Sequence, residues 1–199
     1  MGILRVVTVQ TVVQKACFCL FLIVVRQPAI AQDGDPGDVP DRYSLGLTLG
    51  NTYDPESDTG FLLLTGSALY DYDKVWPHKA PDALRFKVEA NVGGSFKPDR
   101  DLMTSAGVFA LYFLEPISGY GFKPYIEGGI GLIYTQHRVD GQGLHVNFNP
   151  QIGIGTEFSF GSDAVYFAAV RLHHISNGGL DDDNRGVNSI VFVIGKFIW

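Results

Sequence analysis

The sequence predicts an all-β protein, an eight-stranded antiparallel transmembrane β-barrel of the bacterial outer membrane. Three observations lead to this prediction. Apolar and polar residues alternate with a period of two from Arg42 almost to the end of the chain. The first 31 residues have the composition of a cleaved secretory signal, and no cysteine follows them. The chain ends in the apolar stretch VFVIGKFIW, whose last residue is aromatic.

Residues 1–31 carry the parts of a signal peptide. Arg5 and Lys15 precede the apolar run ACFCLFLIVV, and PAIA ends the segment with small residues. The run is ten residues long, too short for a helix that spans a bilayer. The only two cysteines, Cys17 and Cys19, lie inside it. We therefore expect a mature chain without a thiol, which excludes cysteine chemistry, zinc fingers and lipoprotein acylation.

The mature chain is predicted to be acidic and to lack a long apolar run. The formal charge of the whole chain is −6, and the signal contributes only cations, so removing the signal makes the protein more acidic. Such a chain would repel phosphates, which excludes a nucleic-acid partner. No run of about 18 apolar residues follows Gln32, so transmembrane helices are excluded as well.

The remainder of the chain divides into a short lead-in and one barrel domain. Residues 32–41 (QDGDPGDVPD) are polar and rich in Pro and Gly, which predicts a flexible lead-in. Within 42–199, eight segments of roughly ten residues alternate between apolar and polar faces, and bilayer depth sets that strand length. The segments lie near 42–51, 59–70, 84–92, 103–114, 124–134, 151–160, 164–176 and 189–199.

The charged residues of these segments share the face opposite the bulky apolar ones. In LRFKVEANV, Phe86 and Val88 alternate with Lys87 and Glu89. A barrel would hold this balanced set of cations and anions in its interior, where they pair with one another. The set is Arg85, Lys87, Glu89, Glu127, Glu157 and Arg171. A soluble β-sandwich with its charged face in water is the alternative that alternation alone leaves open.

Aromatic residues and the C-terminal segment favour the barrel over the sandwich. Tyrosines at predicted strand ends fit the girdles at lipid headgroups. They are Tyr43, Tyr70, Tyr72, Tyr112 and Tyr134. Val191, Val193, Phe197 and Trp199 share one parity, as in the terminal assembly signature of outer-membrane barrels. The connection at 70–83 is long for a periplasmic turn, which an ordered flap or a longer second strand would explain.

The motif HIS at 174–176 carries candidate chemistry. If both chain ends are periplasmic, the seventh strand runs outward and the following NGGLDDDNRG is an external loop. His174 and Ser176 project from one face of the strand, with Cα atoms about 6.6 Å apart. Leu172 shares their parity, which turns the pair towards lipid at the height of the outer headgroups. A histidine beside a serine would generate a nucleophile where acyl esters lie.

Simpler interpretations exist for this motif and its neighbours. Polar residues at 174 and 176 also mark the boundary between membrane and water in a barrel without enzymatic activity. His173 has the opposite parity, so it is predicted to face inward and to bond to the charged interior. The acidic run at 181–183 is predicted to be a solvated loop.

A longer stretch resembles a known family. HISNGGLDDDNRG, which begins at His174, is similar to the signature of the PagL-type lipid A 3-O-deacylases, in which His-x-Ser-Asn precedes a small residue, Gly and an Asn. The resemblance implies an eight-stranded outer-membrane barrel that hydrolyses the ester at position 3 of lipid A. It makes Ser176 the nucleophile and His174 the general base. It also implies that Asn184, with Asn177 or the backbone N–H of Gly179, stabilises the oxyanion.

The sequence departs from that family at one position. The family places a Glu two residues after the glycine that matches Gly186, to orient the histidine, and Asn188 stands there. An Asn can hold an imidazole tautomer, but a neutral amide does not stabilise imidazolium by charge. Asp181, Asp182 or Asp183 is the alternative third residue. We favour Asn188, and expect Asn188→Glu to raise the rate, because Asn188 begins the strand beside strand seven.

The sequence thus predicts an outer-membrane serine esterase that hydrolyses the 3-linked acyl ester of lipid A without a metal or an organic cofactor. Its predicted partners are lipid A and the membrane in which the barrel is embedded, and a homodimer stays open. A non-catalytic structural or adhesive barrel is the alternative from another class, and long external loops would favour it. The predicted external segments are short, near 52–58, 95–102, 136–146 and 178–187. Acyl transfer to an acceptor lipid would use the same nucleophile.

Overall fold

The fold is known from a computed structural model that describes residues 40–55, 58–160 and 164–198. The predicted signal peptide at 1–31, almost all of the lead-in at 32–41 and Trp199 lie outside the described residues. The strands are β1 (Arg42–Asp54), β2 (Gly60–Asp71), β3 (Leu84–Lys97), β4 (Leu102–Phe113), β5 (Phe122–Thr135), β6 (Val146–Phe148), β7 (Gln151–Phe158), β8 (Tyr166–Ile175) and β9 (Val187–Phe197). None of the described helical segments has the length and hydropathy that a membrane-crossing helix needs.

The strands form one closed antiparallel sheet. Apart from β6 and β7, strands adjacent in the chain pair with each other, β1 pairs with β9, and the β4–β5 pairing completes the circle. Both β6 and β7 pair with β5, and only Asn149 and Pro150 separate them, so they act as one interrupted strand. A proline fits this break because it has no N–H to donate to the ladder. The nine segments therefore make an eight-stranded barrel, as predicted.

The alternation in the sequence corresponds to the two faces of the barrel wall. On β1, Leu45, Leu47 and Leu49 are about half exposed on the outside, whereas Ser44 and Thr48 are buried inside. An apolar outer face around a polar interior is the arrangement of a membrane barrel. It is the reverse of a β-sandwich, whose apolar face is the core. The predicted barrel is confirmed, and the sandwich alternative is excluded.

Ion pairs occupy the middle of the barrel. The Arg171 guanidinium donates to Glu89 Oε1 at 2.7 Å and to Glu127 Oε1 at 2.8 Å. The Lys87 ammonium donates to Glu127 Oε2 at 2.8 Å. All four side chains are buried, and a charge taken out of water is tolerated only when it is paired. The predicted pairing of interior charges is confirmed for this cluster.

The two other predicted interior charges pair away from this cluster. Glu157 is buried and accepts two hydrogen bonds from Arg42, each 2.8 Å long. Arg85 pairs with Asp71, and its side chain remains 29% exposed. Arg85 is the second residue of β3, so it lies at the end of the barrel and not in the sealed interior, unlike the prediction.

The central ion cluster allows a stability prediction. We expect Arg171→Met to lower the free energy of unfolding by about 3–5 kcal/mol, because Glu89 and Glu127 would stay buried without that cation. Urea unfolding of the refolded barrel in detergent measures the change. Arg100→Met is the matched control, since Arg100 is exposed in the β3–β4 loop. Equal unfolding midpoints for the two variants would contradict the assigned role of the cluster.

The long connection between β2 and β3 is ordered. A four-residue helix, α1 (Tyr72–Val75), follows β2 directly, and Lys74 lies 3.5 Å from Asp71. The Trp76 ring then packs edge-on against Phe86 of β3, with ring centroids 5.9 Å apart. The structure therefore supports the ordered flap predicted for this segment.

Candidate active site

His174 and Ser176 lie where β8 leaves the barrel wall. The Ser176 N–H donates to Phe148 O at 3.1 Å, and the Phe148 N–H donates to Ser176 O at 2.8 Å. One step earlier, the His174 N–H donates to Pro150 O at 3.0 Å. These bonds hold the end of β8 against the interrupted strand. Both candidate side chains are half-buried, on the parity of the outward-facing Leu172.

The His174 ring belongs to a hydrogen-bonded chain across three neighbouring strands. His174 of β8 is paired with Asn188 of β9, and Asn188 is paired with Asp54 of β1. The distance from His174 Nδ1 to Asn188 Oδ1 is 2.7 Å, and Asn188 Nδ2 donates to Asp54 Oδ2, also at 2.7 Å. Since an amide oxygen only accepts, His174 Nδ1 carries the proton. In the neutral imidazole, this tautomer leaves the lone pair on Nε2 to act as a base.

A groove opens beside this chain on the outer face of the barrel. Its volume is about 260 Å³. The lining combines apolar side chains with the proposed base and its partner, and includes Tyr53, Pro150, Ile152, Leu172, His174 and Asn188. Ile152 and Leu172 are more than half exposed on the outer face of the barrel. An apolar groove with a few convergent polar groups suits a lipid-like ligand.

The loop between β8 and β9 is held by asparagine side chains. Asn184 Oδ1 accepts from the backbone N–H of Asn177 at 2.8 Å. The buried Asn177 side chain accepts from the Gly179 N–H and donates to Asp183 O, both at 2.8 Å. The Asn177 amide and the Gly179 N–H, both predicted as oxyanion donors, are thus engaged within the loop. The Asn184 side chain is exposed, and its Oδ1 accepts the bond from the Asn177 N–H. Its NH₂ group therefore points away from that bond.

The comparisons with known proteins agree with this architecture. The family model for lipid A 3-O-deacylase, PagL, matches residues 65–196, well over half of the chain. The chain belongs to the PagL family. Lipid A deacylase PagL of Pseudomonas aeruginosa is 32% identical over 127 residues, which cover 60% of this chain and 69% of that protein. The resemblance predicted from the motif at His174, and with it the predicted class of enzyme, is confirmed.

Solved structures also resemble this PagL-family barrel. The crystal structure of the outer membrane enzyme PagL has a TM-score of 0.53 and 25% identity, and the match covers 76% of this chain and 97% of that one. Neisserial surface protein A has a TM-score of 0.58 and 16% identity, with 78% and 94% of the two chains covered. The second likeness shows the fold alone. The predicted placement in the outer membrane is confirmed by the family and its solved member.

The three loop aspartates of this PagL-family protein do not contact the histidine. Asp181 Oδ1 accepts from the backbone N–H of Asp183 at 3.0 Å, so the acidic run bonds within itself. His174 Nδ1 is instead occupied by Asn188, the alternative that the sequence favoured. Among the described residues, no three His, Cys, Asp or Glu side chains are grouped as metal ligands.

One sequence-based expectation for this PagL-family site needs amendment, and one residue near the site was not expected. His173 faces inward as predicted, but its Nδ1 has no hydrogen-bond partner among the described residues, and its ring packs edge-on against Phe61. Nδ1 therefore does not make the predicted bond to the charged interior, where Arg171 is engaged by two carboxylates. Asp54 was not anticipated, since its contact with Asn188 depends on how the first and last strands pair.

Gly186 is packed against the catalytic candidate of this PagL-family protein. A Cβ atom on Gly186 would lie 2.6 Å from His174 Cε1, so any side chain there displaces the ring. We expect Gly186→Ala to lower kcat by about 10–100-fold, because displacements of an ångström at a reacting group cost that much. Deacylation kinetics in detergent measure it. Gly119→Ala is the control, since a Cβ at Gly119 meets nothing within 4 Å, and equal rates would contradict the prediction.

Proposed function

We propose that this outer-membrane barrel hydrolyses the ester at position 3 of lipid A, with Ser176 as nucleophile and His174 as general base. One observation carries the proposal. His174 Nδ1 bonds to Asn188, so that in the neutral imidazole Nε2 is the unprotonated nitrogen, and the ring lies beside an apolar groove, two residues from Ser176 on the same face. That combination suits an acyl ester that lies among lipid headgroups.

The proposed reaction proceeds through an acyl-enzyme. Ser176 Oγ attacks the ester carbonyl carbon while its proton passes to His174 Nε2. The tetrahedral intermediate expels the sugar oxygen, which takes the proton from His174. A water molecule then gives a proton to His174 and attacks the acyl-enzyme, which releases the fatty acid and restores Ser176. No hydrogen bond joins the two side chains among the described residues, and such bonds commonly tighten only when substrate binds.

Asn184 is the oxyanion donor in this proposal. Its Oδ1 is fixed by the Asn177 N–H, so its NH₂ group has a defined direction and is available to the developing negative charge. Asn177 and Gly179 serve by shaping the loop, since their polar groups are engaged with each other. The predicted oxyanion set is thereby divided into one donor and two loop-forming residues.

The apolar belt supports a membrane-embedded placement. Leucine, isoleucine and valine side chains are about half exposed around the outside of the barrel, and the groove opens on that surface. The catalytic groups are placed at the end of the spanning strands, where acyl esters meet water. Ser176, His174 and Asn188 all come from one chain, so the proposed reaction does not depend on the homodimer that the sequence leaves open.

An isotope experiment tests this proposal. The purified barrel is incubated in detergent with lipid A in water enriched in ¹⁸O, and the products are analysed by mass spectrometry. Hydrolysis through an acyl-enzyme predicts loss of the position-3 chain and one ¹⁸O atom in the released fatty acid. Recovery of the acyl chain on a second lipid would indicate acyl transfer. Unchanged lipid A would contradict both activities and favour a non-catalytic barrel.

A further inference from the structure

We propose that Asp54 is a positioning residue of the active site and acts on His174 through Asn188. The inference rests on the proposed function, because it assigns a role towards the proposed base. Asp54 Oδ2 accepts from Asn188 Nδ2 at 2.7 Å, and Asn188 Oδ1 faces His174 Nδ1 at the same distance. A carboxylate thus lies one amide away from the histidine.

The carboxylate decides which way the Asn188 amide points. An amide presents an oxygen on one side and an NH₂ group on the other, and either could face a neutral imidazole. A carboxylate only accepts, so Asp54 holds the NH₂ group and turns the oxygen towards His174. If the Asn188 amide were turned the other way, its NH₂ group would donate to His174 Nδ1, and the proton of the neutral imidazole would be on Nε2. His174 could then not accept the proton of Ser176.

A bulge in β1 brings Asp54 to this position. Thr52 is buried and pairs with Ser189, and regular alternation would also turn Asp54 inward. The register between β1 and β9 shifts after Thr52, and Asp54 then pairs with Asn188. Asp54 is exposed on the outside of the barrel. Bulges of this kind redirect a side chain at the rim of a barrel. The local irregularity is thus what completes the hydrogen-bonded chain.

The arrangement also changes what a glutamate at position 188 would do. In the presence of Asp54, Asn188→Glu would place two carboxylates side by side, and adjacent like charges oppose each other's ionisation. In the Asp54→Asn background, the new carboxylate would meet an amide and could accept directly from His174 Nδ1. The benefit expected of Asn188→Glu from the sequence therefore belongs to the double variant.

Kinetics and NMR on the intact barrel test the role of Asp54. We expect Asp54→Asn to lower kcat about tenfold or more with little change in KM, because the base loses its fixed tautomer. Asp58→Asn, which removes a charge from the connection that follows Asp54, is expected to leave kcat unchanged. Adding Asn188→Glu to Asp54→Asn is expected to restore most of the lost rate. The inference would be overturned if the double variant were as slow as Asp54→Asn. It would also be overturned if the kcat of Asp54→Asn were within twofold of wild type.

The tautomer is a readout that does not require activity. Two-bond ¹H–¹⁵N spectra of histidine-labelled barrel identify His174 as the signal that His174→Ala removes. The spectra are recorded in the Ser176→Ala background, which lacks the proposed nucleophile. With Asp54 present, we expect the Nδ1-protonated form of His174. With Asp54→Asn, we expect a shift towards the Nε2-protonated form. An unchanged tautomer would overturn the role of Asp54. Wild-type protein without deacylase activity would instead overturn the proposed function, and the spectra would still judge Asp54.

Discussion

Ser176→Ala and His174→Ala are each expected to abolish deacylation, with losses on the order of 10⁴-fold or more in kcat. The serine variant has no nucleophile, and the histidine variant has no base to take its proton. Because the two residues act as a unit, the double variant should be no slower than either single one. Rates on purified lipid A in detergent measure these losses.

Matched controls separate chemistry from folding in that experiment. Ser118→Ala and His78→Ala change the same residue types in connections outside the β8–β9 loop, where both residues are exposed. All four variants should still form the barrel, which the heat-dependent gel mobility of folded barrels reports. A folded Ser176→Ala or His174→Ala variant with near-normal activity would favour the non-catalytic barrel.

Asn188→Ala is expected to lower kcat by on the order of 10²-fold, whereas Asp181→Asn, Asp182→Asn and Asp183→Asn should each stay within about threefold of wild type. Asn188 bonds the imidazole directly, and the acidic run bonds within its own loop. The loss should be smaller than that from a triad carboxylate, since a neutral amide fixes the tautomer without charge. The same deacylation rates measure it, and a large loss in one aspartate variant with an active Asn188→Ala would reverse the assignment.

Much of the barrel could be predicted because one physical rule governs its wall. Side chains alternate between the outer face and the interior, so parity alone indicated that Lys87, Glu89, Glu127 and Arg171 would meet inside. The same rule placed His174 and Ser176 on one face. Parity does not show, however, how deep in the barrel a residue lies. Arg85 lies at the rim, and 29% of its side chain is exposed.

The features that were missed depend on contacts between distant segments. The contact of Asp54 with Asn188 requires barrel closure and a bulge, and neither leaves a periodic signal in the sequence. The break at Pro150 was also not anticipated, because β6 contributes only three residues to the interrupted strand. His173 faces a polar interior whose charges already bond to each other, so its parity predicted its direction but not its partners.

We propose that this chain removes the position-3 acyl chain of lipid A by means of Ser176. Mass spectrometry of lipid A from Gram-negative cells that express either wild-type protein or Ser176→Ala tests it most directly, with barrel levels in the outer membrane matched. We expect wild type to lower the lipid A mass by one position-3 acyl chain, and Ser176→Ala to leave the mass of the host's own lipid A. Identical lipid A from both strains would contradict the claim.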